Sequence, residues 1–207
     1  MLDKKIRKFK QSKVVIFGNG PSLLSTIPKT GIRSCPVIGV NDAAFLGDWI
    51  DVMFFGDAKW YDHNEKRIGA FPGSIYTYNR HPENRKVSGF TSRVRVVPGK
   101  GGVGIWVEDF RVNFNRSSGA CAINLAYHLG AKTIILLGFD MRQIDGRKNW
   151  CDRPYESKNT KEMSYCKFLF PFTAIARDAK KLGLIILNAT PDSALTHFPS
   201  VALKDVL

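Results

Sequence analysis

The sequence predicts an α/β protein: a single domain with a Rossmann-like, mostly parallel sheet and helices on both faces. Three observations carry that prediction. Short runs that are apolar nearly throughout, such as Val14-Val15-Ile16-Phe17 and Thr133–Leu137, read as strands buried on both sides, as in parallel sheets. These runs alternate with segments of helical periodicity, the pattern of βα units. The first run ends in Gly18-Asn19-Gly20-Pro21-Ser22-Leu23, a glycine-rich strand-to-helix turn of the kind that faces nucleotides at the carboxyl edge of such a sheet. It is not the dinucleotide fingerprint, whose third glycine is absent.

The elements follow in order. Lys4 to Lys13 is a basic arm expected to fray, which leaves residues 1–12 outside a domain of residues 13–207. Gly18 and Gly20 let the chain turn without a Cβ, and Pro21 suits the first turn of a helix whose free N–H groups face the space above the sheet. Pro36–Val40 is the second strand, ending in Asn41-Asp42. Asp51–Phe55 is the third, followed by Gly56-Asp57 and a helical segment over Ala58–Arg67; Ser74–Tyr78 is the fourth. Residues 79–115, rich in Arg, Gly and aromatics, form a lid-like insertion with one strand at Arg93–Val97. Its Gly99–Gly104 run is flexible and lacks the Gly-Lys-Ser/Thr of a phosphate loop. Ser117–Leu129 is the clearest helix. Asn115, Ser117 or Ser118 can cap it, Ala120, Ile123, Ala126 and Leu129 share one face, and Gly130 ends it. Thr133–Leu137 is a central strand ending in Gly138-Phe139-Asp140, and a second lid-like insertion covers residues 141–159. Ala174–Leu182 is a helix that Pro171 starts or kinks, and Leu184–Leu187 closes the sheet before Asn188.

Composition narrows the classes. A chain of 207 residues suits one well-buried domain. No apolar run approaches the roughly 20 residues that span a bilayer, and the basic amino terminus lacks the apolar stretch of a secretory signal, so a cytoplasmic protein is expected. Cys35, Cys121, Cys151 and Cys166 are too widely spaced for a C-x-x-C zinc site and read as reduced structural thiols. The net charge is +13, and it is clustered. Residues 1–13 carry six Lys/Arg against one acid, residues 80–116 eight against three, and residues 142–167 seven against four. Such clusters suit a polyanionic partner: nucleic acid, an anionic glycan, or several phosphates. A solvated basic face is the alternative. Aromatics interleaved with Arg at Phe90, Arg93, Arg95, Trp106, Phe110 and Arg111 can stack the bases of a single strand, or line a core loop.

Polar residues repeat at strand ends. Asn19, Asn41, Asp57, Asp140 and Asn188 each follow an expected strand, and a parallel sheet brings all such ends to one edge, where they form a ligand crevice. None of His63, His81, His128 and His197 earns a catalytic role from the sequence. His128 reads as structural, and His197 could approach the crevice as a base.

The motifs Gly18-Asn19-Gly20-Pro21-Ser22-Leu23, Asn41, Ser117-Ser118-Gly119, Leu137-Gly138-Phe139-Asp140 and Ser157-Lys158-Asn159-Thr160, with Pro191 after the last strand, occur in the order found in another group of proteins. In this the chain resembles the bacterial lipooligosaccharide sialyltransferases that use CMP-sialic acid, together with related phage proteins and archaeal hydroxymethyl-dihydropterin pyrophosphokinases. The resemblance implies a glycosyltransferase-like fold with the nucleotide over the carboxyl edge, in the cytoplasm of a bacterium or a phage-infected host. It places Gly18, Asn19, Gly20 and Ser22 against the phosphate and ribose, and Asn41 against nucleotide or sugar. Ser117, Ser118 and Gly119 would hold a carboxylate or phosphate, a role that helix-terminal N–H groups also suit. Asp57 stands where the family has Asn, after Gly56, and Asp140 completes the donor contacts. Glu156 occupies the position of the family's histidine base, and Arg142 that of its first leaving-group tyrosine.

The reading that results is a glycosyltransferase using a nucleotide-activated sugar of the CMP type. Arg142 and Lys158 would stabilise the leaving phosphate and Glu156 would activate the acceptor, itself nucleic acid or an anionic glycan. No carboxylate pair stands at a recognisable metal spacing, so the transfer is expected to be metal-independent, with no further cofactor. Two alternatives stand beside it: a pyrophosphokinase-like phosphoryl transferase with Mg²⁺ on Asp57 and Asp140, and a non-catalytic module that binds nucleotide or nucleic acid.

Overall fold

A computed structural model describes residues 9, 12–28, 31–78, 93–151 and 163–207. Glu156, Lys158 and the rest of the Ser157–Thr160 motif lie outside the described residues, as do Phe90, His81 and most of the basic arm.

Seven strands form one sheet: β1 (Lys13–Phe17), β2 (Val37–Val40), β3 (Val52–Phe55), β4 (Ser74–Thr77), β5 (Val94–Val96), β8 (Thr133–Leu137) and β9 (Ile185–Asn188). Their order is β5-β4-β3-β2-β1-β8-β9, and every adjacent pair is parallel. The expected α/β class with a parallel sheet and helices on both faces is therefore the observed one. Alternation along β1 shows why its run is apolar throughout. Val14 and Ile16 enter the core beneath α3 (Ser118–His128) and α4 (Met163–Leu182), whereas Val15 and Phe17 enter the opposite core. That second core is closed by α2 (Ala58–Gly69), the single-turn α1 (Leu23–Thr26) and the carboxyl-terminal α5 (Leu203–Val206). In α2, Trp60, Tyr61, Asn64 and Ile68 form the buried face, one helical stripe. Among the described residues no helix is long and apolar enough to cross a membrane.

Four expectations change. The helix after the glycine turn is one turn long, begins at Leu23 rather than at Pro21, and has no side-chain cap. The long helix α4 does not start at Pro171 but runs through it, at the loss of one backbone donor. Within the basic arm Phe9 is buried, its N–H donating to the Leu129 carbonyl at 2.7 Å just beyond α3. The glycine run is pinned. Strand β6 (Gly99–Lys100) pairs with β7 (Val112–Asn113), and Gly104 exchanges two hydrogen bonds with the buried Asn115 side chain.

Candidate functional site

The chain order reverses between β1 and β8, and in an open parallel sheet the crevice beyond the carboxyl ends at that reversal is the natural ligand site. A cleft of about 810 Å³ opens there. Its floor is built by Gly18, Asn19 and Gly20 after β1, Asn41 after β2, Gly56 and Asp57 after β3, and Gly138 to Arg142 after β8. Arg116, the cap residue Ser117 and the first residues of α3, Ser118 and Gly119, form one wall. Tyr78, Lys59, Lys148, Asn149, Tyr165 and Phe168 complete it.

The glycines of the first turn serve the strands as much as any ligand. A Cβ on Gly20 would overlap the Asp140 carboxylate and stand 2.7 Å from the Gly138 carbonyl oxygen. The two loops are also stitched directly, Gly18 N–H to Leu137 O and Gly20 N–H to Gly138 O, both at 2.8 Å. Asn19 then ties β1 to β2, donating to the Val40 carbonyl at 2.7 Å and accepting from Ala43 N–H at 3.2 Å. From the other side, Trp150 N–H donates to the Asn19 carbonyl at 3.0 Å, which brings the loop after β8 back over the turn.

Three cleft residues adopt the left-handed backbone without being glycine: Asn41 at φ 51°, Arg116 at φ 57° and Met141 at φ 52°. Asn tolerates that region; Arg and Met do so at a cost of about 1–2 kcal/mol. Strain of this kind gathers where side chains must be aimed. Asn41 is also left with a buried, unpartnered Oδ1. The cleft meets the amino termini of α2 and α3; the Asp57 carboxylate already caps α2, so α3 is the terminus that suits an anion. Ser117 caps it, accepting from Ala120 N–H at 3.2 Å.

Asp140 is 1% exposed. Its Oδ1 accepts from Ser22 N–H at 3.3 Å, while Oδ2 and the Ser22 hydroxyl have no hydrogen-bond partner. Burial pushes its pKa above the ordinary carboxylate value, with Ser22 and the Arg142 charge pulling the other way. Burial likewise raises the Tyr78 phenol, which stays protonated and can donate into the cleft. Arg142, Lys148, Lys59 and Arg116 bring cationic side chains to the same space. Among the described residues no group of three or more His, Cys, Asp or Glu is placed to hold a metal ion.

A polar scaffold behind α3 sets its amino terminus. The fully buried Asn124 accepts from Trp106 N–H at 2.9 Å and Asn113 N–H at 3.0 Å, and donates to the Trp106 carbonyl at 3.0 Å. Asp178 of α4 accepts from Ile105 N–H at 3.0 Å. These side chains take the place of a neighbouring strand for residues 104–106.

Gly18, Asn19, Gly20, Asn41, Asp57, Ser117, Ser118, Gly119, Asp140 and Arg142 thus come together, although Asp57 also spends a carboxylate oxygen capping α2 through Lys59 N–H at 2.8 Å. Ser22 does not line the cleft but stands behind it, against Asp140. Asn188 does not reach it either: its side chain is buried between the Leu195 carbonyl and Thr190 N–H. His197 pairs with Thr173 on α4, away from the lining residues, and His128 is structural, its Nε2 2.6 Å from the Arg111 carbonyl. Among the rings expected to stack bases, Trp106 bonds Asp109 and Phe110 packs on Tyr76 and His128. Tyr78, Arg116, Lys148 and Tyr165 were missed, since none follows a strand in the glycine–polar pattern.

Solved sialyltransferases have the same architecture. The structure of CstII from Campylobacter jejuni in complex with the substrate analogue CMP matches with a TM-score of 0.60 at 18% identity, over 93% of this chain and 86% of that one. The fold is sialyltransferase-like. A second structure, the sialyltransferase CST-II with a trisaccharide acceptor and CMP, matches with a TM-score of 0.52 at 18% identity, over 92% and 86% of the two chains. No protein-family model matches the sequence, and no curated protein matches it significantly.

Proposed function

We propose that this chain is a glycosyltransferase-like protein that takes a nucleotide-activated sugar of the CMP type in the cleft over β1 and β8. The observation that supports it best is the set of aimed groups there: Asn41 with an unpartnered Oδ1, Arg116 and Met141 in left-handed backbone, and the capped terminus of α3. The solved structures of like fold carry CMP, which fits a cleft at this edge.

In this reading Gly18, Asn19 and Gly20 border the phosphate and ribose, with Ser22 setting Asp140 from behind. Asn41 bonds nucleotide or sugar, and the N–H groups of Ser118 and Gly119 hold a carboxylate or phosphate. The acceptor oxygen attacks the anomeric carbon as the bond to the phosphate oxygen breaks. The acceptor proton passes to Glu156, and the negative charge left on the nucleoside monophosphate is met by Arg142 and Lys158. Cationic side chains in this role make the transfer metal-independent. The basic clusters suit an anionic acceptor, nucleic acid or glycan.

Thermal shift with CMP, UDP, GDP and CMP-activated sugars tests the binding step. A ligand at 100 times its Kd adds roughly 2.7 kcal/mol, a rise of several degrees. Stabilisation by CMP-type ligands is expected, and none by any nucleotide at millimolar concentration overturns the reading. Transfer that is lost on chelation and restored by Mg²⁺ would instead indicate metal-dependent phosphoryl chemistry.

A further inference from the structure

Among the described residues only two Phe, Tyr or Trp rings are exposed, and both stand one contact from the cleft wall. Phe170 of α4 is 60% exposed, and the guanidinium of the cleft-lining Arg116 lies 5.5 Å from its ring centroid. Phe114 is 45% exposed and meets the cleft-lining Tyr78 edge-on at 5.1 Å. Its N–H donates to the Lys100 carbonyl, and the Lys100 amine sits 4.7 Å over the Trp106 ring. Leaving two phenyl rings in water forgoes the burial that other aromatics in this chain obtain. The Phe170 ring lies beside the Arg116 guanidinium, and Phe114 is joined through its backbone to Lys100, whose amine sits over the Trp106 ring.

From this juxtaposition we propose that Phe114 and Phe170 stack bases of a single-stranded nucleic acid, with Arg116 and Lys100 holding its phosphates, so that the strand lies at the cleft mouth as the acceptor. The proposal rests on the transferase reading of the cleft. Phenyl rings have no group to hydrogen-bond a sugar hydroxyl but offer a face that any base can stack on. The adjacent charge is positive, as is the chain's net charge of +13, which suits a phosphate backbone. A duplex keeps its bases stacked on each other and cannot use the rings.

The test is fluorescence anisotropy of a short labelled oligothymidylate with the full chain at two salt concentrations, beside CMP thermal shift on the same proteins. Wild type should bind, less tightly at high salt, and a duplex should bind more weakly. Phe170→Ala and Phe114→Ala should each weaken binding by about tenfold, with CMP stabilisation unchanged. Phe170→Trp should keep the affinity, and Phe170→Leu, which retains apolar bulk, should not. Oligonucleotide binding that ignores all four substitutions overturns the proposal. So does an anionic glycan such as a chondroitin sulfate oligosaccharide binding through the rings while the oligonucleotide does not. Ring-dependent oligonucleotide binding without any CMP-type stabilisation would sink the cleft reading and leave the stacking surface standing.

Discussion

Replacing Gly18 by alanine separates two reasons for a glycine at the end of β1. If the residue only let a ligand approach, the free protein would be indifferent or would gain about 0.4–1 kcal/mol from a stiffer unfolded chain. The packing predicts the opposite sign. A Cβ on Gly18 would collide with the Gly138 carbonyl oxygen and lie 3.1 Å from both its carbon and the Phe139 ring. Neither can swing aside, because the Gly138 carbonyl accepts from Gly20 N–H at 2.8 Å and Phe139 is buried. Overpacking of this kind costs about 1–3 kcal/mol, and in a chain of this size each kcal/mol moves Tm by about 2–4 °C. Gly18→Ala should therefore lower Tm by roughly 2–12 °C without ligand. Gly20→Ala should also lower Tm, because its Cβ meets both the buried Asp140 carboxylate and the Gly138 carbonyl oxygen at 2.7 Å, and only the part owed to the carboxylate should return in an Asp140→Ala background. Urea unfolding of the five ligand-free proteins, wild type, the three single variants and the Gly20→Ala/Asp140→Ala double variant, reads this directly. A Gly18→Ala protein as stable as wild type that had lost nucleotide binding would refute the packing argument.

Four further outcomes follow from the same contacts. Asp140 has a raised native pKa, so its contribution is full below the ordinary carboxylate value and is lost as pH rises through the native one. Asp140→Asn should then gain roughly 0.5–2 kcal/mol at pH 7 in urea unfolding, at the expense of CMP binding; no gain at pH 7 counts against it. His128 has a lowered native pKa, so stability falls as pH drops below 6.5, where the unfolded chain takes the proton first. His128→Gln should flatten the stability profile between pH 7 and 5, and an unchanged slope would show that another group carries it. Asn124→Ala strands one buried and two part-buried backbone groups and should cost about 2–4 kcal/mol in urea unfolding; a loss under about 1 kcal/mol would mean the loop holds itself. Ser117→Ala should cost about 1 kcal/mol through the lost cap, read by thermal unfolding, and should weaken CMP stabilisation as well.

The strands were legible because a parallel sheet covered on both faces demands apolar residues at successive positions. Val14 to Phe17 and Ile134 to Leu137 feed both cores in turn, a pattern that no amphipathic surface element produces. What was hidden obeys tertiary rather than local rules. Pro171 argues against a helix interior, yet Phe172, Ile175 and Ala179 bury one face of α4 and outweigh the lost backbone bond. Phe9 sits in a lysine-rich arm where charge conceals a single core side chain. Strands β6 and β7 are too short for any periodicity, and Gly99 looks like a hinge residue although the Phe114 ring covers it.

The site divides along the same line. Asn19, Asn41, Asp57 and Asp140 were legible because topology delivers every strand-end loop to one edge. Asn188 follows the same rule and fails, because in β9 it is still paired with Leu136 and its side chain satisfies the chain beyond it. Arg116 and Tyr165 arrive from elements that no single-sequence pattern connects to that edge, whereas Tyr78 follows β4 at the same edge but is not one of the short polar residues that mark the other strand ends. For Arg116 the missing signal is backbone geometry. At φ 57° a glycine would be relaxed, and an arginine stands there at a cost of about 1–2 kcal/mol. The same holds for Met141 at φ 52°. Both residues line the cleft, a setting in which strained backbone serves to aim a side chain. Arg116 so placed puts a cation between the terminus of α3 and the exposed ring of Phe170.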